Sequence, residues 1–193
     1  MSDPLASIRA RITGFAIDHR KVAPGAVFGA FRGARFDGES VIADAVKAGA
    51  IAIVARPEAK VDGALHIADA EPRRLFAQLA ASFYAPFPAV TAAVTGTNGK
   101  TTVSQLVAQL ISQSGIKTAV MGTAGNGVLG EKGAPNLTPS THTTLEVFNL
   151  QHAIDDFAKH GVQALAIEAS SHGLHQQRLQ GVPINVAMFT NLS

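Results

Sequence analysis

The chain contains no cysteine. Disulfides, thiolate metal sites and cysteine nucleophiles are therefore excluded, and a cytoplasmic location is the expectation. Charge is also sparse: 16% of the 193 residues are Asp, Glu, Lys or Arg, and the formal net charge is only +2. No run of basic residues with interleaved aromatics occurs, so nucleic acid is a poor candidate partner. Residues 1–11 lack the apolar stretch of a secretory signal. Nowhere do about 18 apolar residues follow one another, so no membrane-spanning helix is expected. Internal repeats and low-complexity tracts are missing too. Hydrophobic residues make up 47% of the chain, which suits an ordinary packed core in one large domain or two small ones.

Apolar patterning predicts strands alternating with helices. After the turn residues Pro24-Gly25, residues 26–31 read as a strand, and Asp37-Gly38 marks a second turn. Val41, Ile42, Ala45 and Val46 recur at helical spacing over 39–47, with Gly49 placed to stop the helix. Residues 50–54 and 64–67 read as strands. Pro72 suits the first turn of a helix that runs to 84. Pro86-Phe87-Pro88 then makes a stiff connector, so a domain boundary is expected near 88, dividing the chain into 1–88 and 89–193. In the second part, strands are expected over 90–95, 117–121, 162–168 and 184–189, and helices over 101–114 and 143–160. Gly122, Gly125 and Gly127 suggest an irregular loop from 122 to about 141, and 170–179 reads as a loop or short helix. The fold class is α/β: a small α/β domain followed by a partial P-loop domain with a parallel sheet.

The chemistry begins at Gly96-Thr97-Asn98-Gly99-Lys100-Thr101-Thr102, between a buried strand and a helix. Gly96 and Gly99 allow the backbone to approach a phosphate closely. The helix start offers unpaired N–H groups and a positive dipole end. Lys100 adds a mobile cation for β- and γ-phosphates, and Thr101 a hydroxyl for Mg²⁺. The usual pattern would place its first glycine at the position held by Val94, so this loop is a shortened variant. A plain Gly-Asn turn competes with the phosphate reading; the strand before and the helix after favour phosphate.

An acidic residue at the end of a neighbouring strand usually helps a P-loop hold its metal. Glu168 ends the apolar run 162–167 and is either that ligand or a structural residue at the strand end. The dense polar segment from Ser170 to Arg178 follows, as expected at the rim of a site. His172 can serve as a second metal ligand through a neutral imidazole. His172 and His175 lack a third ligand at suitable spacing, which disfavours zinc. Arg178 can pair with a substrate carboxylate or phosphate, or simply be a solvated arginine.

Four segments together resemble the Mur ligases, specifically the MurE type, the UDP-N-acetylmuramoyl-tripeptide synthetases. They are residues 96–102, Met121-Gly122-Thr123 with Gly125-Asn126-Gly127, Glu168-Ala169-Ser170-Ser171-His172-Gly173-Leu174 with Gln176 and Arg178, and Phe189-Thr190-Asn191-Leu192-Ser193. Asp18-His19-Arg20, Pro24-Gly25, Phe28-Gly29-Ala30, Gly33 and Asp37-Gly38 resemble that family's UDP-binding domain. The resemblance implies an ATP- and Mg²⁺-dependent amide ligase of peptidoglycan precursor synthesis. It would add a third amino acid, meso-diaminopimelate or lysine with the former favoured, to UDP-MurNAc-L-Ala-D-Glu through an acyl phosphate. It also implies roles. Gly96, Thr97, Asn98, Gly99, Lys100, Thr101 and Thr102 would bind ATP; Lys100, Glu168 and His172 would be catalytic; and Thr101, Glu168 and His172 would hold the metal. Ile17, His19, Ala34, Arg35 and Phe36 would meet the UDP-sugar, and Asn136, Leu137, Thr138, Ser170, Gln176 and Arg178 the peptide. The family commonly has Ser at the place of His19 and Thr at that of Leu137, so backbone contacts there are more secure than side-chain ones. Family members continue into the rest of the central domain and a C-terminal ligase domain. The chain is therefore expected to be an inactive fragment, able to self-associate through the bare sheet edge at 184–189. A nucleotide- or UDP-binding module without ligase chemistry is the alternative.

Overall fold

The structure is a computed structural model, and it describes residues 4–33, 36–130, 137–140 and 143–192. It divides into two compact units, Met1–Ala80 and Ala81–Ser193.

The first unit is built on four parallel strands in the order β1 (Gly14–Ala16), β2 (Ala26–Gly29), β3 (Ala52–Ala55) and β4 (Leu65–Ala68). β2 and β3 are buried along their whole length, the pattern of a parallel sheet covered on both faces. A 3₁₀ turn over Gly38–Val41, with the Asp37 carboxylate accepting the Glu39 N–H at 3.0 Å, leads into α1 (Ile42–Lys47). Gly49 ends that segment at φ +105°, where a Cβ would come within 2.7 Å of Pro24 Cα. Ile42 and Ala45 of α1 pack on Phe28 and Ile53. Phe76, from α2 (Pro72–Tyr84), stands edge-on to both Phe15 and Phe31, with ring centroids 5.4 Å away in each case.

The second unit has five strands in the order β7-β6-β8-β5-β9, namely β7 (Gly125–Val128), β6 (Thr118–Gly122), β8 (Ala164–Glu168), β5 (Val90–Thr95) and β9 (Val186–Phe189). All are parallel except β7, which pairs antiparallel with β6. From β5 the chain passes through α3 (Lys100–Gln113) to β6, two places away. It returns through α4 (Val147–Lys159) to β8, between them, and then reaches β9 on the far side of β5. Such a reversal leaves a crevice at the carboxyl ends of the central strands. Leu150, Ile154 and Phe157 of α4 pack on Met121, Leu165 and Ile167. Ala108 of α3 meets Val120 and Ala166 in a separate apolar cluster.

Two expectations are corrected. Residues 125–128 form the strand β7 and not an irregular loop. The glycines serve close approach: Gly125 sits at φ +124°, and a Cβ there would lie 2.7 Å from the Thr138 carbonyl oxygen. α4 begins at Val147 instead of 143, because the Thr144 hydroxyl donates to the Glu168 carbonyl (2.9 Å) and its own carbonyl accepts from Arg178 (2.6 Å). Those partners hold Thr144 outside the helix. β9 lies at the sheet edge, as expected, with Val186 48% and Phe189 63% exposed.

Candidate nucleotide and substrate site

The loop after β5 is held in a defined shape. Gly96 and Gly99 take φ values of +129° and +81°, which only glycine adopts without strain. α3 starts directly after Gly99, and its first backbone bond runs from the Val103 N–H to the Gly99 carbonyl at 2.9 Å. The preceding N–H groups of Lys100, Thr101 and Thr102 therefore have no acceptor within the helix, the arrangement that attracts anions. Lys100 Nζ donates to the carbonyls of Gly96 (2.7 Å) and Thr97 (3.0 Å), so its ammonium lies over its own loop. A cavity of about 300 Å³ opens there, lined by Gly96, Lys100, Ser171, Phe189 and Asn191 among others.

Glu168 pairs with Val94 in register, one strand from the loop. Its side chain is 1% exposed. Oε1 accepts the Thr123 N–H at 2.9 Å and Oε2 the Thr123 hydroxyl at 3.2 Å. That hydroxyl also lies 3.0 Å from Thr143 Oγ1. Among the described residues no cationic side chain pairs with this carboxylate. Gly122 makes room for it, since a Cβ at Gly122 would strike the Glu168 carboxylate. Each oxygen keeps lone pairs free for a cation.

The polar segment beyond β8 is organised by α5 (Ser171–His175), capped by the Ser170 hydroxyl on the Gly173 N–H at 3.0 Å. Thr144 Oγ1 lies 3.0 Å from Ser170 Oγ and accepts the Ser170 N–H at 3.0 Å. Exposed His172 is engaged by Gln176, with the two Nε2 atoms 2.9 Å apart, and the structure does not gather it with Glu168 into a group of three metal-binding side chains among the described residues. Arg178 is buried, not solvated. Its guanidinium donates to the Gln176 side-chain oxygen (2.6 and 2.9 Å) and to the Thr144 carbonyl (2.6 Å), and pairs with Glu146 at 2.5 Å. Leu137 packs against the Ala108–Val120 cluster, while the Thr138 backbone pairs with Asn126 through two 2.9 Å bonds. Asn136 lies outside the described residues, as do Ala34 and Arg35.

In the first unit, Ile17 and His19 follow β1 and Phe36 follows β2, so all three sit past the carboxyl ends of paired parallel strands. Phe36 is 57% exposed. Arg20 chelates Asp18 at 2.8 and 2.9 Å and holds its carboxyl down at about 2. Glu39 bonds Arg56 at 2.7 and 3.0 Å and Arg32 at 3.2 Å. Arg56 keeps that carboxyl below its usual range, burial opposes the shift, and Arg32 reinforces it.

Sequence reasoning did not single out Thr123, Thr144, Glu146, Thr190 or Asn191 as site residues. Thr144 and Glu146 carry no local mark, and Thr123, Thr190 and Asn191 are visible only as members of family-like segments without a role, because each acts through partners 20 to 95 residues away.

A short glycine loop at the carboxyl end of one parallel strand, with a buried carboxylate ending the next, defines an α/β protein with a loop of P-loop type. The chain belongs to the Mur ligase family: residues 94–193 match the Mur ligase middle domain, and residues 11–84 match the model described as Mur ligase family, catalytic domain. It is 48% identical over 182 residues to the UDP-N-acetylmuramoyl-L-alanyl-D-glutamate–2,6-diaminopimelate ligase of Zymomonas mobilis, and 41% identical to the enzyme of the same name from Rhizobium meliloti. Both alignments cover 94% of this chain and 36% of the relative, so the chain spans about a third of the length of these curated relatives. A solved diaminopimelate ligase of that name superposes with a TM-score of 0.81 at 40% identity, covering 94% of this chain and 37% of that one. Thermotoga maritima MurF, solved in complex with ADP, shares the fold at a TM-score of 0.62 and 23% identity.

Proposed function

We propose that this chain supplies the nucleotide-binding and UDP-substrate-binding part of an ATP-dependent ligase. That ligase joins meso-diaminopimelate to UDP-MurNAc-L-Ala-D-Glu in the cytoplasm by way of an acyl phosphate. The observation that carries the proposal is the placement of the loop and Glu168 at the carboxyl ends of adjacent strands, with Glu168 buried and lacking a cationic partner among the described residues. A buried carboxylate without a cation is costly, and a metal ion is a natural remedy.

On this reading Lys100 exchanges the Gly96 and Thr97 carbonyls for phosphate oxygens when nucleotide arrives. The N–H groups that open α3 receive the remaining phosphate charge. Glu168 and the Thr101 hydroxyl would hold Mg²⁺, which neutralises phosphate charge when bound. His172 would have to release Gln176 to join them. Ser170, Gln176 and the Thr138 backbone border the peptide; Arg178 acts first as a clamp that fixes the chain ahead of α4. Ile17, His19 and Phe36 serve the UDP-sugar. Positioning and charge neutralisation are what phosphoryl transfer asks of a protein.

The test is calorimetric titration of the chain with ATP, with and without Mg²⁺, beside an assay of phosphate release with all substrates. Mg²⁺-dependent ATP binding that Glu168→Gln weakens, with no turnover by this chain alone, is the expected result. Equal ATP affinity with and without Mg²⁺ would refute the metal role, and ligation at a full enzyme's rate would refute the view that this chain carries only part of the site.

A further inference from the structure

We propose that Thr190 and Asn191 are positioning residues of the phosphate loop. They set its shape before nucleotide arrives and turn two of its N–H groups away from the phosphates. This rests on the reading that the loop binds nucleotide phosphates, and it specifies which groups of the loop do so.

β9 pairs with β5 so that Phe189 lies opposite Thr95. The next residues of each strand, Thr190-Asn191 and Gly96-Thr97-Asn98, therefore leave the sheet side by side. The Thr190 hydroxyl is in reach of the Thr95 carbonyl (3.2 Å) and the Asn98 carbonyl (2.6 Å). The Asn191 side chain grips Asn98 from both ends: its Oδ1 accepts the Asn98 N–H at 3.0 Å and its Nδ2 donates to the Asn98 carbonyl at 3.3 Å. The Asn191 backbone carbonyl accepts the Thr97 N–H at 3.1 Å. Gly96 is the point of closest approach. A Cβ there would collide with the Thr190 hydroxyl and lie 2.9 Å from the Asn191 carbonyl oxygen.

The N–H groups of Thr97 and Asn98 are thus engaged by Asn191. The phosphates are left with the donors that open α3 and with the Lys100 ammonium. A long glycine loop wraps its own N–H groups around an anion; here the loop is short, and a segment more than 90 residues later braces it.

The experiment titrates Mg²⁺-ATP, and separately tripolyphosphate, into the chain and its variants Asn191→Ala, Thr190→Val and Thr190→Ser. Asn191→Ala and Thr190→Val should each weaken both ligands by about fivefold to tenfold, the effect of one or two lost neutral hydrogen bonds. Thr190→Ser keeps the hydroxyl and should bind within about twofold of the parent on the same scale. UDP affinity, read on the other unit, should not change, which separates a local effect on the loop from general destabilisation. If the parent binds ATP and both Asn191→Ala and Thr190→Val bind it equally well, the positioning role is overturned while the nucleotide reading stands. If the parent binds neither ATP nor tripolyphosphate, the nucleotide reading falls and takes this inference with it. Should Asn191→Ala fail to fold, the Thr190→Val and Thr190→Ser pair decides alone.

Discussion

Gly122→Ala should disturb the Glu168 carboxylate, and the size of the effect follows from the contacts. The added methyl would overlap a Glu168 carboxylate oxygen and lie 2.5 Å from Cδ and 2.7 Å from Cγ. Rotating the carboxylate alone does not relieve the overlap, because Cγ is also too close. One way out is for Glu168 to swing aside and lose its two bonds from Thr123, each a hydrogen bond to a charged group worth about 1.5–3 kcal/mol. The other is for β6 to move off β8, an overpacking cost of about 1–3 kcal/mol. Gly122 lies outside the left-handed region, so alanine adds no backbone strain, and the lower entropy of the unfolded chain returns about 0.4–1 kcal/mol. The net expectation is a loss of about 1–2 kcal/mol by these magnitudes. Tyr84 is the single tyrosine in a chain without tryptophan, and it sits in the second unit against His152. Its fluorescence during urea unfolding reports on the unit that holds Glu168. The decisive measurement is a double-mutant cycle with Glu168→Ala. Removing the carboxylate should make Gly122→Ala nearly neutral, with a coupling of about 1 kcal/mol or more. Equal costs in both backgrounds would refute the idea that Gly122 exists to seat Glu168.

Lys100→Ala should weaken ATP binding by about tenfold or more, since a charge-assisted phosphate contact contributes roughly 1.5–3 kcal/mol; calorimetry showing unchanged affinity would remove Lys100 from the site. Arg20→Ala should return the Asp18 titration, followed by NMR, from about 2 towards its ordinary 3.8. The sign follows from the lowered folded value: the pairing stabilises the fold above pH 3.8 and that contribution fades as pH falls towards 2. Its size is small because Arg20 is largely solvent-exposed. The chain should self-associate through β9, and Val186→Lys should reduce the association by placing a charge on the edge; a concentration-independent monomer in sedimentation would count against it.

Much of the fold could be read from the chain because local pattern and burial agree. The β-branched run 90–95 and the proline-led helix at 72 coincide with β5 and α2. The misread stretch at 125–128 shows where that agreement ends. A glycine carries no pattern of its own, and whether it turns the chain or lets two backbones approach depends on what lies opposite. At Gly125 that neighbour is Thr138. β1 was missed because Gly14–Ala16 is too short to display a period.

The site divides along the same line. Lys100 and Glu168 are legible because Lys100 opens a helix directly after the glycine loop, and Glu168 closes a strand with a charge where its apolar run stops. Their supports are not. Thr123 reaches Glu168 across 45 residues, and Asn191 reaches Asn98 across 93. Both supports follow from strand order alone: β8 beside β6 brings Thr123 to Glu168, and β9 beside β5 brings Asn191 to the loop. A phosphate loop that lacks its usual first glycine can therefore be rigid, provided β9 is in place to brace it. Loss of β9 pairing should cost nucleotide affinity even with every residue from 96 to 102 intact. Removing residues 184–193 while retaining the loop tests this directly. Undiminished ATP binding by a folded chain so shortened would show that the loop holds its shape unaided.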